Sequence, residues 1–196
     1  KTPLFDATAY LAWEAEQAER HEYIAGEVFA MVGVRQAHNV ATGNLYSALR
    51  QALKGSPCRV FIESVKTRVE AADCFFYPDI AVTCDARDRA TPDYISHPSL
   101  VVEVLSESTA AFDRGHKFAA YRKLPSLQEY ALVDIPTRRV EIFRRNAEQQ
   151  WVLYEYNDGD QLELASLQLT LPIALVFEDT EEEAAPTASP SQEHHV

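Results

Sequence analysis

The pattern of apolar and polar residues along this chain predicts many strands interrupted by a few helices. Residues 6–18 and 36–53 carry apolar side chains at helical spacing, the first behind a capping Asp6 and the second ending at Lys54-Gly55. Alternating or continuous apolar runs predict a strand or hairpin at residues 23–32 and strands at 59–69, 77–82, 100–106, 127–133, 139–143, 151–156 and 162–173. This order of elements indicates a mixed α+β domain.

Two of the predicted strands each carry one acid inside an apolar run. Asp79 lies within residues 77–82, and Glu103 lies within residues 100–106. A carboxylate in such a run loses its hydration, which is costly unless a cation or hydrogen-bond donors compensate. Two such acids therefore predict a shared cation.

A third predicted helix follows the second acid and begins at Asp113. Asp113, Lys117 and Tyr121 share one face of this helix because they lie four residues apart. Lys117 can then project toward whatever the preceding strand presents. We therefore expect Asp79, Glu103 and Lys117 to converge.

The length and composition suit one compact domain with a core of its own. The chain has 196 residues, of which 46% are apolar and six are glycine. We predict a single domain over residues 1–177 and an acidic, disordered tail over 178–196, where apolar side chains are too few to offset ordering entropy. No apolar window approaches the roughly 18–20 residues of a membrane span, and no basic region precedes an apolar stretch at the N-terminus, so we expect a soluble, cytoplasmic protein.

The cysteines give no sign of a structural framework. Cys58, Cys74 and Cys84 form no C-x-x-C pair and have no histidine at zinc spacing. We therefore expect neither a disulfide nor structural zinc, and we interpret all three as small buried hydrophobic residues.

The charge argues against a generally basic surface for nucleic acid. The formal net charge is −12, and the body before Glu178, with 18 basic and 24 acidic residues, carries −6. DNA would therefore have to be held by a local patch. Candidate residues for that patch are Lys66, Arg68, Arg114, Lys117, Arg122 and Lys123.

Three motifs follow one another in the middle of the chain. They are Pro-Asp within residues 77–82, an acid-bearing strand with Ser-x-Ser-Thr within 100–109, and Asp-x-x-x-Lys-x-x-x-Tyr over 113–121. In this order they resemble the Uma2 (DUF820) family of PD-(D/E)xK, restriction-endonuclease-like nucleases. Further likeness at residues 23–31, His38 and 129–134 extends the resemblance over residues 5–177.

The resemblance implies a restriction-endonuclease-like core, with a mixed β-sheet flanked by helices and additional antiparallel strands at the C-terminal end. It also implies metal-dependent hydrolysis of DNA phosphodiester bonds, with Asp79 and Glu103 as ligands of Mg²⁺ or Mn²⁺. Glu27 would complete the metal shell from a neighbouring strand. The residues expected to contact substrate are His38, Arg114 and Tyr121.

The chain departs from the family pattern at one position. The usual lysine stands two residues after the second acid, where this sequence has Leu105. Lys117 is the candidate for orienting or deprotonating the attacking water, because the place of the ammonium matters more than the element that carries it.

Each candidate also has a purely structural interpretation, and the function has alternatives. Asp79 could be a turn acid after proline, and Lys117 could be a solvated helix residue paired with Asp113. The functional alternatives are a DNA endonuclease, a nuclease-fold protein that binds nucleic acid or a protein partner without cutting, and a hydrolase of another phosphoester. We expect a homodimer if both DNA strands are cut, since that takes two sites.

Overall fold

The computed structural model describes residues 6–181. Helix α1 (Ala7–Glu14) begins where Asp6 Oδ1 accepts the Ala9 N–H at 2.7 Å, and helix α2 spans Gln36–Ala52, close to its predicted bounds. The third helical stretch consists of α3 (Ala110–Phe112), a π-helical turn (Asp113–Lys117) and α4 (Phe118–Tyr121). We call residues 110–121 the lysine helix.

The strands of the described chain are mostly short. They are β1 (His21–Ile24), β2 (Glu27–Ala30), β3 (Arg59–Ile62), β4 (Lys66–Val69), β5 (Cys74–Phe76), β6 (Ile80–Thr83), β7 (Tyr94–Ile95), β8 (Leu100–Val104), β9 (Glu129–Asp134), β10 (Arg139–Arg145), β11 (Trp151–Tyr156), β12 (Gln161–Leu164) and β13 (Leu169–Pro172). Single 3₁₀ turns lie at Glu70–Ala72, Ala86–Arg89, Ala165–Leu167 and Ile173–Leu175.

These strands form two mixed sheets and one hairpin. The larger sheet has the order β11-β10-β9-β8-β6-β3, with β8 and β9 parallel and the other pairs antiparallel. The smaller sheet has the order β2-β1-β5-β4-β7, and β12 pairs with β13. The predicted mixed α+β class is confirmed.

Strand β8 lies inside the larger sheet and is buried on both faces. Leu100, Val102 and Val104 pack with Leu45 and Leu49 of α2 on one face. Val101 and Leu105 pack on the other face, in the same cluster as Phe76, Phe118 and Tyr121. Because side chains alternate along a strand, Glu103 points to this second face, toward the lysine helix and the smaller sheet.

The prediction of one strand over residues 59–69 is wrong. The chain bends at residues 63–65, where Glu63 has a φ of 50°, so that β3 belongs to the larger sheet and β4 to the smaller one. The apolar alternation continues through the bend, and for this reason the sequence pattern does not reveal it.

The expectation that all three cysteines are unpaired is also wrong. Cys58 and Cys84 form a disulfide, whereas Cys74 is free and buried. The pairing of Arg59 with Thr83 across β3 and β6 places the two cysteines directly opposite each other, one residue beyond the paired positions. This register depends on strand pairing that cysteine spacing alone does not show.

The first residues of the predicted tail, 178–181, belong to the folded body. Thr180 is buried, and the Asn44 side-chain amide donates to the Glu178 carbonyl at 2.7 Å, so residues 178–181 pack against α2. Residues 182–196, the remainder of that prediction, lie outside the described residues. None of the helices in the described part of the chain has the length and hydrophobicity that a membrane span requires.

Candidate active site

Glu103 is a buried acid whose hydrogen bonds are long. It lies in the middle of β8 with 3% of its surface exposed. Its Oε1 accepts hydrogen bonds from Lys117 Nζ and from the Tyr121 hydroxyl, both at 3.3 Å. The lysine helix supplies both donors because Lys117 and Tyr121 are one turn apart on the face that covers the sheet.

Lys117 serves more than one acid at once. Its Nζ lies 3.0 Å from Glu22 Oε1, 3.3 Å from Glu103 Oε1 and 3.5 Å from Asp113 Oδ1. Glu22, on β1, also accepts the backbone N–H of Tyr77 at 3.2 Å. Three carboxylates thus share a single ammonium, and we call these four residues the Lys117 cluster.

The electrostatics of this cluster leave its acids incompletely compensated. Burial raises the pKa of Glu103 well above its usual range, with Lys117 opposing the rise and Asp113 and Asp79 adding to it. Burial likewise raises the pKa of Glu22 and that of Asp113. Burial alone would lower the pKa of Lys117, but the three carboxylates outweigh it and raise that pKa, so the ammonium keeps its proton.

Asp79 is held in place by the strand that carries Glu103. Its Oδ2 accepts the backbone N–H of Val104 at 2.6 Å, and its Oδ1 lies 3.0 Å from His38 Nε2. His38, near the start of α2, is itself buried, and its Nδ1 has no hydrogen-bond partner within residues 6–181. These contacts fix the Asp79 carboxylate beside β8.

A single cavity of about 770 Å³ joins these groups. Asp79, Glu103 and Lys117 all line it, so the structure brings together the three residues expected to converge. Leu105 also lines the cavity, two residues beyond Glu103 on the same face of the chain. The remaining polar lining residues include Glu22, His38 and Asp113.

Three other predicted site residues are absent from the described lining of this cavity. Glu27 is exposed at the start of β2, and the acid that reaches the cavity from this hairpin is Glu22. Arg114 forms ion pairs with Glu141 and Asp134 at the larger sheet. Tyr121 is fully buried, and its hydroxyl donates a hydrogen bond to Glu103 without lining the cavity.

Glu22 is the site residue that sequence reasoning missed. The strand was predicted to begin at Tyr23, but β1 begins at His21, which includes Glu22 in the strand. In the β1–β2 hairpin Glu22 lies directly opposite Phe29, and this pairing would have indicated that Glu22 belongs to the strand. The pairing cannot be predicted when the strand is taken to begin at Tyr23.

The residues present fit a hard divalent cation. The cavity lining includes the carboxylates of Glu22, Asp79, Glu103 and Asp113 together with Lys117, and the Asp113 Oδ1 meets the shared ammonium only at 3.5 Å. Within residues 6–181 no group of three or more His, Cys, Asp and Glu side chains is placed so that it could hold a metal ion by itself. Mg²⁺ suits such a site because it takes one or two protein carboxylates and fills its shell with water and phosphate oxygens.

Comparison with known proteins decides the family. The family model described as "Uma2: Putative restriction endonuclease" matches residues 7–175. The chain belongs to the Uma2 family.

Two relatives from Synechocystis sp. are both described as uncharacterized. Protein slr1290 is 36% identical over 175 residues, which cover 89% of this chain and 92% of slr1290. Protein sll1609 is 33% identical over 156 residues, which cover 79% of this chain and 88% of sll1609.

A solved structure confirms the fold. The crystal structure of "a putative nuclease belonging to DUF820" from Anabaena variabilis matches with a TM-score of 0.72 and 19% identity, over 88% of this chain and 97% of that chain. The predicted restriction-endonuclease-like fold is thereby confirmed, and the Uma2 motifs identified in the sequence fall within it.

Proposed function

We propose that this protein is a metal-dependent endonuclease that hydrolyses DNA phosphodiester bonds in the cytoplasm. Asp79 and Glu103 would hold Mg²⁺ or Mn²⁺, and Lys117 would orient the attacking water. The observation that carries the proposal is the surplus of buried carboxylates over ammonium groups in a cavity lined by Asp79, Glu103 and Lys117. Membership of Uma2 supports a nuclease.

The protein groups have separable roles in this proposal. When bound, the divalent cation supplies stabilisation of charge on the phosphate oxygens and lowers the pKa of water. The Val104 N–H and His38 hold the Asp79 carboxylate in one orientation. Lys117 and Tyr121 do the same for Glu103. Holding both acids in advance reduces the cost of ordering them when substrate binds.

Lys117 acts by donating hydrogen bonds rather than by accepting a proton. Its neighbouring carboxylates raise its pKa above the ordinary lysine value, so at neutral pH it stays charged and cannot serve as a general base. A fixed ammonium can orient a water molecule and stabilise negative charge that develops on the phosphate. It would thereby take the part of the lysine that Leu105 replaces.

Nicking of supercoiled plasmid tests this proposal. We expect cleavage that requires Mg²⁺ or Mn²⁺, is removed by chelation, and falls by about 10²- to 10³-fold in Asp79→Asn. A matched control is Glu70→Gln, which changes an exposed acid in the 3₁₀ turn after β4 and should leave the rate unchanged. Equal nicking by wild type and Asp79→Asn would show contamination and overturn the proposal.

One observation favours a second function, a catalytically inactive nuclease fold that binds nucleic acid or a protein partner. Leu105 fills the usual lysine position, and Lys117 is already engaged by three acids. In that case DNA or partner binding would persist in chelator and in Asp79→Asn. Metal-dependent cleavage would exclude it.

We also propose a homodimer, because one site of this kind cuts one strand. Light scattering on the purified protein measures the oligomeric state directly. A monomer that only nicks duplex DNA would contradict the dimer while leaving the endonuclease proposal intact.

A further inference from the structure

An exposed apolar segment lies at the edge of the cavity. Phe29, Val32 and Val34 are 47%, 70% and 52% exposed, and all three line the cavity together with Met31. We call these four residues the apolar rim. Phe29 lies in β2, and the other three lie in the segment that connects β2 to α2. The other large hydrophobic side chains that are exposed within residues 6–181 lie on β11, outside the cavity lining.

Space is open beside the backbone at Gly33, in the segment that carries Met31, Val32 and Val34. A Cβ added at Gly33, in the middle of the segment, would meet no atom within 4 Å, so space is open around it. Exposed apolar side chains that are grouped together mark surfaces that bind something, because water contact is unfavourable for them. They line the same cavity as Asp79 and Glu103, so a ligand that fills this cavity contacts them.

The charges around the cavity offer little attraction to a phosphate backbone. Among the described lining residues six are acidic and three are basic. Of the basic ones, Lys117 is buried in ion pairs, and Arg138 pairs with Asp158 and Glu181. Of the predicted basic patch, only Lys117 is among the described residues of the lining. The described lining is therefore net acidic, so apolar contacts gain weight in binding at this cavity.

We infer that the apolar rim packs against the faces of unstacked bases, so that the substrate is DNA with unpaired nucleotides rather than a regular duplex. Base faces are apolar and exposed only where pairing and stacking are lost, and side chains such as Phe29 stack on them regardless of base identity. Apolar side chains also wedge between base steps in duplexes that are easily opened. The inference rests on the proposed function for its chemistry, since it names the substrate of the same cavity.

Binding measured without cleavage tests the inference separately from catalysis. Fluorescence anisotropy with Ca²⁺ in place of Mg²⁺ would compare a labelled single strand, a duplex with a central unpaired bubble, and the fully paired duplex. We expect wild type to bind the first two about tenfold more tightly than the third. The variant Phe29→Ala/Val32→Ser/Val34→Ser should lose this preference. The matched control is Leu153→Ser, which changes an exposed leucine of β11 and should keep the preference for unpaired DNA.

A second measurement reports base unstacking directly. A 2-aminopurine placed in the bubble should brighten when wild type binds and stay dim with the triple variant, while thermal melting confirms that the variant is folded. Equal binding of all three DNAs by wild type, or an unchanged preference in the triple variant, would overturn the inference. So would self-association that disappears in the triple variant while DNA binding stays the same, because the rim would then be a protein interface.

The outcomes separate this inference from the proposed function. If wild type prefers unpaired DNA but never cuts it, the endonuclease proposal is wrong and the inference about unpaired DNA holds. If wild type cuts with Mg²⁺ but binds paired and unpaired DNA equally, the inference is wrong and the endonuclease proposal holds.

Discussion

Glu129 and Glu103 are buried acids on the adjacent parallel strands β9 and β8, yet their surroundings differ sharply. Glu129 Oε1 accepts hydrogen bonds from Arg144 Nε at 2.7 Å and the Ala165 N–H at 3.1 Å. Its Oε2 accepts bonds from the N–H and hydroxyl of Ser166 at 2.9 and 2.5 Å. Among residues 6–181, Glu103 has two donors, both at 3.3 Å, and it shares one of them, Lys117, with two other acids.

The difference teaches what each acid does. Four short bonds, one of them from a guanidinium, saturate Glu129, so this acid ties β9 to β10 and to the 3₁₀ turn at Ala165–Leu167. Glu103 shares its ammonium with two other acids at the wall of a cavity, so ionisation of Glu103 destabilises the fold unless a cation binds. One acid stabilises the fold, and the other is the acid that we propose binds a cation.

The largest expected effect is on cleavage. Glu103→Gln should lower the initial rate of Mg²⁺-dependent plasmid nicking by about 10²- to 10³-fold, because it removes a charge that holds the cation. Glu129→Gln should keep the rate per folded molecule within a few-fold. The comparison breaks down if the two substitutions reduce the rate equally at matched folded fractions.

The reverse order is expected for stability. Glu129→Ala leaves the Arg144 guanidinium without its buried partner, so the free energy of unfolding should fall by about 3 kcal/mol. Urea denaturation followed by circular dichroism measures this change. Glu103→Gln, measured alongside, should change it by less than about 1 kcal/mol and in the stabilising direction. A larger loss in Glu103→Gln than in Glu129→Ala would contradict the assignment of roles.

Because burial raises the pKa of several carboxylates, the free energy of unfolding should fall as the pH rises. Glu22, Glu103 and Asp113 have folded-state pKa values above the unfolded ones, so from about pH 4 upward the folded state holds protons that the unfolded state has lost. Their contribution to stability is therefore full below that pH and is lost as the pH rises through the folded-state values. As the pH rises above about 4, we expect wild type to lose stability relative to Glu103→Gln.

Chemical denaturation at a series of pH values, in chelator and in Mg²⁺, checks this dependence. Bound Mg²⁺ should reduce the difference between wild type and Glu103→Gln, because the cation replaces the missing protons. If the free energy of unfolding changes with pH in the same way in wild type and in Glu103→Gln, the pKa of Glu103 is not raised. The proposed difference between Glu103 and Glu129 would then be wrong.

The smallest expected difference concerns single donors. Ser166→Ala removes a short bond to Glu129 and should cost about 1.5 kcal/mol, whereas Tyr121→Phe removes a 3.3 Å bond to Glu103 and should cost about 0.5 kcal/mol. Thermal or urea unfolding of the two variants in parallel measures both. A cost for Tyr121→Phe equal to that for Ser166→Ala would mean that Glu103 is better compensated than its distances indicate.

Sequence pattern predicted the parts of the molecule that depend on local spacing. Helix α2 and the buried acid Glu103 of β8 follow from periodicity and from the cost of placing a carboxylate among valines. The approach of Lys117 to Glu103 follows from strand alternation plus one turn of helix, whereas Asp79, predicted inside a strand over residues 77–82, lies one residue before β6. These inferences need only short stretches of chain.

The parts that were missed depend on pairing between distant strands. The Cys58–Cys84 disulfide requires the register of β3 with β6, and the break between β3 and β4 requires knowing that they belong to different sheets. Glu22 joins Lys117 across 95 positions of sequence because β1 packs near the lysine helix. No local periodicity carries that information.

Titration calorimetry with Mn²⁺ tests the central claim most directly, namely that the surplus carboxylates around Lys117 bind a divalent cation. Because burial raises the pKa of these acids, binding should release protons, so the measured heat should change with the ionisation enthalpy of the buffer. We predict saturable, buffer-dependent binding by wild type and none by Glu103→Gln. Absence of binding by folded wild type, or equal binding by Glu103→Gln, would contradict the account.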